Sequence, residues 1–358
     1  HDFSKMTILS LQLGHNATIA LMKDGEIICA VSQEKFDNVK NSSSFPEQAI
    51  RCALQESGVQ NVDAIAVSGV FVISQQIRDL SGNRIRSGWE KGIKDQLLYF
   101  ALHIKILHPL YFWYVTKKAE RASIAAKKQL VKKLSEILQG TEESIEKKIH
   151  FSHHHVCHAS SSFHGLSKNP QEHALILTLD GSGDYFCASV NVARQGKIER
   201  IASTPRLYSL GYLYALATVY LGMKSLEHEY KVMGLAPYAK EQEVKKIYER
   251  VFKALIYLNP ENPLEFRSLF PTNRSLSYLK KNLSCVRFDI VAGAVQMLLE
   301  NLVTDWIRKA VEKTGIRTVY TGGGVFMNVK LNKKIAEMPE IEKAFFMPSC
   351  GDESNPFG

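Results

Sequence analysis

No two of the six cysteines stand close enough to form a C-x-x-C pair; Cys29, Cys52, Cys157, Cys187, Cys285 and Cys350 are spread along the whole chain. That speaks against a zinc ribbon or a small disulfide framework and suits a reducing compartment, so a cytoplasmic location is expected. The opening HDFSK ahead of Met6 lacks the apolar core of a signal peptide and reads as added residues, which makes secretion unexpected. An uninterrupted apolar span is missing too. The nearest approach, LLYFALHIKILHPLYFWYV from Leu97 to Val115, carries Lys105 near its centre. On insertion scales that lysine costs about 2.5–3.5 kcal/mol, and His103, His108 and Pro109 add to the difficulty. A helix that is buried or faces a partner is the first reading of this run, and an interfacial membrane contact the second, because aromatics beside lysines suit that role.

A strongly one-sided charge is also lacking outside one region. The chain has 45 Lys and Arg against 36 Asp and Glu, a formal +9. Between Arg84 and His150 there are 14 basic and 7 acidic residues, so the surplus is local and a basic groove for nucleic acid along the whole protein is not expected. What is present in quantity is ordinary core material. With 358 residues and 45% apolar content, the chain is long enough for two compact lobes, each with its own core.

One pattern occurs twice. TILSLQLGHNATIALMKDGEIICAVSQEKF reads as strand, glycine loop, strand, turn at KDG and returning strand. ALILTLDGSGDYFCASVNVARQGKIERIAST has the same order, with DGSGD in the loop and RQGK at the turn. The repetition predicts a duplicated lobe. A third glycine element, TVYTGGGVFMNVKLNKKI, runs from a strand at Thr318 to Tyr320 through Gly322, Gly323 and Gly324 into an amphipathic helix. Glycines allow close backbone approach to a ligand, and a helix N-terminus offers unpaired N–H groups to a phosphate or ribose. Taken together, the three loops predict a nucleotide cleft between two lobes.

FSHHHVCHAS, Phe151 to Ser160, holds four histidines and a cysteine within six positions. Residues four apart share a helix face, so His154 with His158, His150 with His154, and His153 with Cys157 are all candidate pairs for one metal ion. Locally the cluster reads equally well as packed or solvated histidines, and a third ligand must come from elsewhere.

In order along residues 8–358, LGHNATIALMKDG, SQEKFDNVKNSSSFPEQAI, HHHVCHASSSFHG, LTLDGSGD, YSLGYLYALATVYLG, HEYKVMGLAPYA, GGGVFMNVKLNKKI and MPSCGDESNPFG resemble the NodU/CmcH-type carbamoyltransferases. These belong to the ASKHA superfamily of actin, sugar kinases and Hsp70. The resemblance implies an α/β duplicated two-lobe fold, with residues 6–172 as the first lobe, a helical basic and aromatic insert at about 81–148, and 173–358 as the second. It implies transfer of a carbamoyl group from carbamoyl phosphate, by way of ATP and a carbamoyl-adenylate, to a hydroxyl of a small-molecule or glycan acceptor.

The family's H-x-x-x-H pair falls on His154 and His158 and its late Gly-Asp on Gly351 and Asp352, which supplies the third ligand for a divalent metal, expected to be Fe(II). By the same resemblance Asp180 binds metal directly or through water, or else caps its own turn. Gly181, Ser182 and Gly183 approach the phosphates. Gly322, Gly323, Gly324 and Asn328 form the adenosine element, and Lys231 faces the nucleotide or is a plain surface lysine. His15 matches the loop histidine that acts as base, or else is structural and bonded to a neighbouring loop, and the family's His-Asp is here His15-Asn16. Glu34, Lys35 and Lys40 shape the acceptor or adenylate site, or else form a solvated strand end. Relatives continue into a YrdC-like domain that makes the adenylate, so this chain is expected to be the transfer half, served by that domain in cis or in trans. Threonylcarbamoyl transfer to tRNA and a non-catalytic nucleotide-binding module, docking a membrane or protein through residues 97–133, stand as alternatives.

Overall fold

The structure is a computed structural model and describes residues 6–71, 77 and 108–358. The chain divides into two compact units: the first takes in the described residues of His1–Arg86 together with Trp113–Gly165 and Pro348–Gly358, the second Leu166–Met347 with the described residues of Ser87–Phe112. The division falls at Gly165/Leu166, where the sequence reading set it between residues 172 and 173, and Pro348–Gly358 lies with the first unit although the reading grouped it with the second.

In the first unit β1 (Thr7–Gln12), β2 (Thr18–Lys23), β3 (Glu26–Ser32), β4 (Ala64–Ser68) and β5 (Ile149–Ser152) form one sheet in the order β3-β2-β1-β4-β5. The first three strands are antiparallel, and β1, β4 and β5 run parallel. Strand alternation puts every second residue on one face. Leu9 pairs with Leu21 and Ile65, and Leu11 with Ile19 and Val67, so register alone lines up two apolar rows across three strands. Ala49, Ile50 and Ala53 of the helix Glu47–Ser57 and Ala126, Leu130, Leu134 and Ile137 of the helix His108–Leu138 join them in one buried cluster. Each fully buried Leu or Ile contributes about 1.5–3 kcal/mol, which outweighs the weak helix propensity of these segments.

The helix His108–Leu138 lies within the basic and aromatic insert. Its later turns bury the small and aliphatic face just named, and near its start Leu110, Trp113 and Tyr114 are exposed ahead of exposed Lys117 and Lys118. The expected contact stretch at 97–133 is only partly covered, since 97–107 lies outside the described residues.

In the second unit β6 (Ala174–Gly183), β7 (Phe186–Arg194) and β8 (Lys197–Pro205) are followed by a small hairpin, β9 (Ile256–Leu258) and β10 (Phe266–Ser268), and then by β11 (Thr318–Gly322) and β12 (Lys343–Phe346). The main sheet has the order β12-β11-β6-β7-β8, with β6, β7 and β8 antiparallel and β6, β11 and β12 parallel. Strand for strand this repeats the first sheet, the duplicated α/β arrangement that the sequence predicts.

The hairpin turns agree as well. Asp24 and Gly25 between β2 and β3, and Gln195 and Gly196 between β7 and β8, all have positive φ, as a two-residue turn matching strand twist requires. The helix Phe288–Thr314 is, among the described residues, the one long and apolar enough to cross a membrane, but 67% of its apolar window is buried within the fold. Its Trp306 is fully buried and donates Nε1–H to Leu264 O at 2.8 Å, as a core helix does.

Candidate functional site

In the first unit β5 passes directly into the helix His154–Leu166, so the histidine cluster straddles a strand end and a helix start. His150 sits on the strand and is exposed, and the candidate pair His150–His154 is not formed because extended residues do not share the helical face. His154 and His158 are both on the helix, four apart and buried, with ring centroids 4.6 Å apart. Their Nε2 atoms are 3.1 Å from each other.

The segment Pro348–Gly358 packs on β1, β2 and β4 of the same unit and carries Asp352 to this pair. Asp352 Oδ1 is 3.3 Å from each of the two Nε2 atoms. Three donors with edges of 3.1 and 3.3 Å match neighbouring positions around one ion held at about 2.1 Å from each ligand. Without a cation the triangle is poorly satisfied: two imidazole N–H groups can both point at the carboxylate, but they then face each other at 3.1 Å. Two imidazoles and one carboxylate on a shared face are also the donor set of iron(II) sites with open positions. The residues fit a divalent cation.

Burial pushes the Asp352 carboxyl upward, but the charges and hydrogen bonds of His154 and His158 outweigh it and hold the group well below the usual carboxylate range. It is an anion throughout the physiological range, as a metal ligand must be.

Around these three lies an arrangement the sequence reading missed. Gln12, at the end of β1 and 3% exposed, donates Nε2–H toward Leu13 O, His15 O and Asp352 Oδ2, each at 3.4 Å. Asn355, 1% exposed, places its Nδ2 3.4 Å from Gln12 Oε1 and 3.4 Å from His154 Nδ1. Asn355 stands inside a segment matched to the family, MPSCGDESNPFG, and Gln12 directly precedes another, LGHNATIALMKDG. Nothing local marks them, because their partners lie 340 and 343 positions away.

His15 and Asn16 form the loop between β1 and β2, with Asn16 at φ +56°. Asn16 Nδ2 donates to Glu353 Oε2 at 2.8 Å, which ties this loop to the residue next to Asp352. His15 is half-buried, and its Nδ1 has no hydrogen-bond partner among the described residues. Ala17 N donates to Ser42 O at 2.9 Å, so the loop after the short helix Glu34–Asp37 lies alongside. Glu34 spends its carboxylate there: Oε2 accepts from Asn41 N at 3.0 Å and Oε1 pairs with Lys35 Nζ at 3.2 Å. Lys40 is on the same loop and exposed.

In the second unit the expected DGSGD loop is the irregular end of β6, where pairing with β7 shifts between Leu179 and Gly183. Asp180 Oδ1 accepts from Gly324 N at 3.1 Å, so the aspartate caps the late glycine turn. Gly323 is the tight point of that turn. Its φ is +99°, and a Cβ there would sit 2.5 Å from Leu179 O. Ser209 caps the helix Leu210–Tyr220 by accepting from Tyr212 N at 3.0 Å and donates to Gly181 O at 2.7 Å. Gly211 lets that helix start pack on Asp180 O, where a Cβ would approach to 2.9 Å. Asp180, Gly181, Ser182, Gly183, Gly322, Gly323 and Gly324 are thus brought together at the carboxyl ends of β6 and β11.

Burial pushes the Tyr212 phenol up against the pull of Arg206 and a hydrogen bond with Ser182. Burial and the Asp180 charge push the Cys187 thiol well up, so Cys187 is no nucleophile. Asn328 is committed to structure. It caps the helix Val329–Ala336 by accepting from Leu331 N at 3.0 Å, and it exchanges amide bonds of 2.8 and 3.0 Å with Gln296. Lys231 is exposed, with Nζ 5.8 Å from the Tyr230 ring centroid.

A family model described as carbamoyltransferase N-terminus matches residues 7–358. The chain belongs to that family. It is 28% identical to the nodulation protein NolNO of Sinorhizobium fredii over 346 residues, 94% of this chain and 44% of NolNO. It is 27% identical to the nodulation protein NolO of Bradyrhizobium diazoefficiens over 205 residues, 56% of this chain and 36% of NolO. The chain therefore spans about half or less of the length of these relatives. A solved structure of full-length HypF in its phosphate- and nucleotide-bound form is similar at a TM-score of 0.49 with 13% identity, over 99% of this chain and 55% of that one.

Proposed function

We propose that this chain is the transfer half of an ATP-dependent O-carbamoyltransferase. It takes the carbamoyl group of carbamoyl-adenylate, made from carbamoyl phosphate and ATP by a YrdC-like domain in cis or in trans, to a hydroxyl of a small-molecule or glycan acceptor. The observation that carries this reading is the convergence of His154 Nε2, His158 Nε2 and Asp352 Oδ1 within 3.3 Å of one another, in a chain of this family.

These three residues would hold a divalent cation, which we take to be Fe(II) from the two-imidazole, one-carboxylate donor set. Such an ion supplies polarisation of a carbonyl when bound. The protein's own groups do the rest. His15 takes the acceptor's hydroxyl proton at Nδ1, the nitrogen with no partner among the described residues. The hydroxyl oxygen bonds to the carbamoyl carbon, the bond from that carbon to the phosphate oxygen breaks, and AMP leaves as an anion. Asn16, by its bond to Glu353, holds the His15 loop in place. The glycine turns at 181–183 and 322–324 receive the nucleotide, their backbone fixed by Asp180 and Ser209.

The test is to supply carbamoyl-adenylate with a panel of sugar, aminoglycoside and polyol acceptors and look for the carbamoylated product and AMP. Transfer that is lost in His15→Ala supports the reading. Nucleotide binding without transfer to any acceptor favours a non-catalytic module.

A further inference from the structure

We propose that the exposed face of the helix His108–Leu138 binds the surface of a lipid bilayer containing anionic lipids, with Trp113 and Tyr114 at headgroup level and Lys118, Arg121, Lys128 and Lys132 against the lipid phosphates. The inference uses no part of the metal site or of the transfer reading.

This helix has two unlike sides. Ala126, Leu130, Leu134 and Ile137 recur at steps of four and three and are buried in the core of the first unit. Trp113, Tyr114, Lys117, Arg121, Ile124 and Lys128 recur at the same helical spacing, one stripe on the other side, and every one of them is exposed. At 1.5 Å per residue the stripe runs for roughly 22 Å. Its apolar members are large and open to solvent: Trp113 is 59% exposed, Tyr114 57% and Ile124 63%, and Leu110, three residues before Trp113, is 62% exposed. Lone exposed apolar side chains are ordinary, whereas several on one face, interleaved with cations, mark a contact surface.

Charge selects the partner. Between Trp113 and Ser135 the sequence has seven basic residues and one acidic, Glu120. Glu120 is taken by Lys117, at 2.7 Å. Lys127 and Lys133 serve the fold, with Nζ 4.0 Å from the Phe151 ring centroid and 4.8 Å from that of Phe45. Lys118, Arg121, Lys128 and Lys132 remain, exposed and with no ion-pair partner among the described residues. A second copy of this chain would set these four cations against their own kind, which like-charge repulsion disfavours. Nucleic acid would satisfy the cations and stack on the two rings, but it offers Leu110 and Ile124 nothing apolar to enter. An anionic bilayer answers all three features. Trp and Tyr rings settle at the headgroup level, Leu and Ile side chains reach the acyl boundary, and Lys and Arg lay their stems on apolar surface while their charged heads meet phosphate.

The experiment mixes the full chain with vesicles of phosphatidylcholine alone and of phosphatidylcholine with phosphatidylglycerol, and reads binding by co-sedimentation and by tryptophan emission. Wild type is expected to sediment with the anionic vesicles alone, less so as salt rises, and to shift its emission to the blue as Trp113 leaves water. Trp113→Phe should keep most of the binding and lose the shift, which assigns the signal to that ring. The triple variant Lys118→Gln, Arg121→Gln, Lys128→Gln should bind about 100-fold more weakly, since each basic residue near an anionic surface is worth about fivefold. All the substituted side chains are exposed, so each variant should keep the wild-type circular dichroism spectrum. Wild type that binds neither vesicle, or both equally, overturns the inference, as does a triple variant that binds as wild type does. Tight binding of an RNA oligonucleotide with no emission shift on anionic vesicles assigns the face to nucleic acid and overturns it as well.

Discussion

Asn16 donates its side-chain amide to Glu353 Oε2 at 2.8 Å, joining residues 337 positions apart. The bond gives the Asn16 amide a structural role in the loop that carries His15. Glu353 already accepts from Ser349 Oγ at 2.7 Å through its other oxygen, and a second carboxylate at position 16 would face it with no proton to share. Asn16→Asp is therefore expected to destabilise the protein by about 1–3 kcal/mol at neutral pH, the usual cost of replacing a hydrogen bond by an unpaired polar contact. Urea unfolding at neutral pH checks this. Stability equal to wild type would mean the bond contributes little.

Gly323 cannot carry a side chain. At φ +99° an L-residue is strained by about 1–3 kcal/mol, and the added methyl would press on Leu179 O at 2.5 Å, which only backbone movement relieves. Gly323→Ala should lower the thermal midpoint and abolish ATP binding measured by calorimetry. Gly25→Ala, at a turn with nothing within 4 Å of the new Cβ, should cost stability but keep ATP binding.

Tyr320 gives a pH signature. Its hydroxyl donates to Glu172 Oε2 at 2.6 Å, and burial, with that carboxylate, raises the phenol to about 12. The unfolded value is about 10. A raised acid contributes stability that is fully present below the unfolded value and is lost as pH rises toward the folded one. The wild type should therefore lose stability between pH about 10 and about 12 with one more proton of slope than Tyr320→Phe. Parallel stability curves for the two proteins over that window would remove Tyr320 from the account.

Much of this molecule is legible in its sequence. The two strand–turn–strand units are, because alternation and the residue–glycine turns are local properties that register then makes into sheets. The His154–His158 pair is legible as one of three spacings; the strand ending at Ser152 removes His150–His154, and the approach of Asp352 singles out His154–His158. Asp352 came from the family resemblance alone. No local signal says that residues after β12 return to β1, since that is fixed by tertiary packing of Pro348–Gly358. Gln12 and Asn355 were invisible for the same reason: a single amide at a strand end looks like any solvated polar residue until its partner is in place. Asp180 was read correctly as a strand-end carboxylate, but its partner Gly324 lies 144 positions on, beyond the reach of turn chemistry. Asn328 follows N-cap logic, and its structural bonds to Gln296 depend on a helix packed beside it.

The central claim is tested most directly by metal content. The protein, loaded anaerobically with Fe(II) and desalted, should retain a single equivalent, and both His158→Ala and Asp352→Asn should retain almost none while keeping the wild-type circular dichroism spectrum. Full retention of iron in either folded variant would contradict the site built from His154, His158 and Asp352.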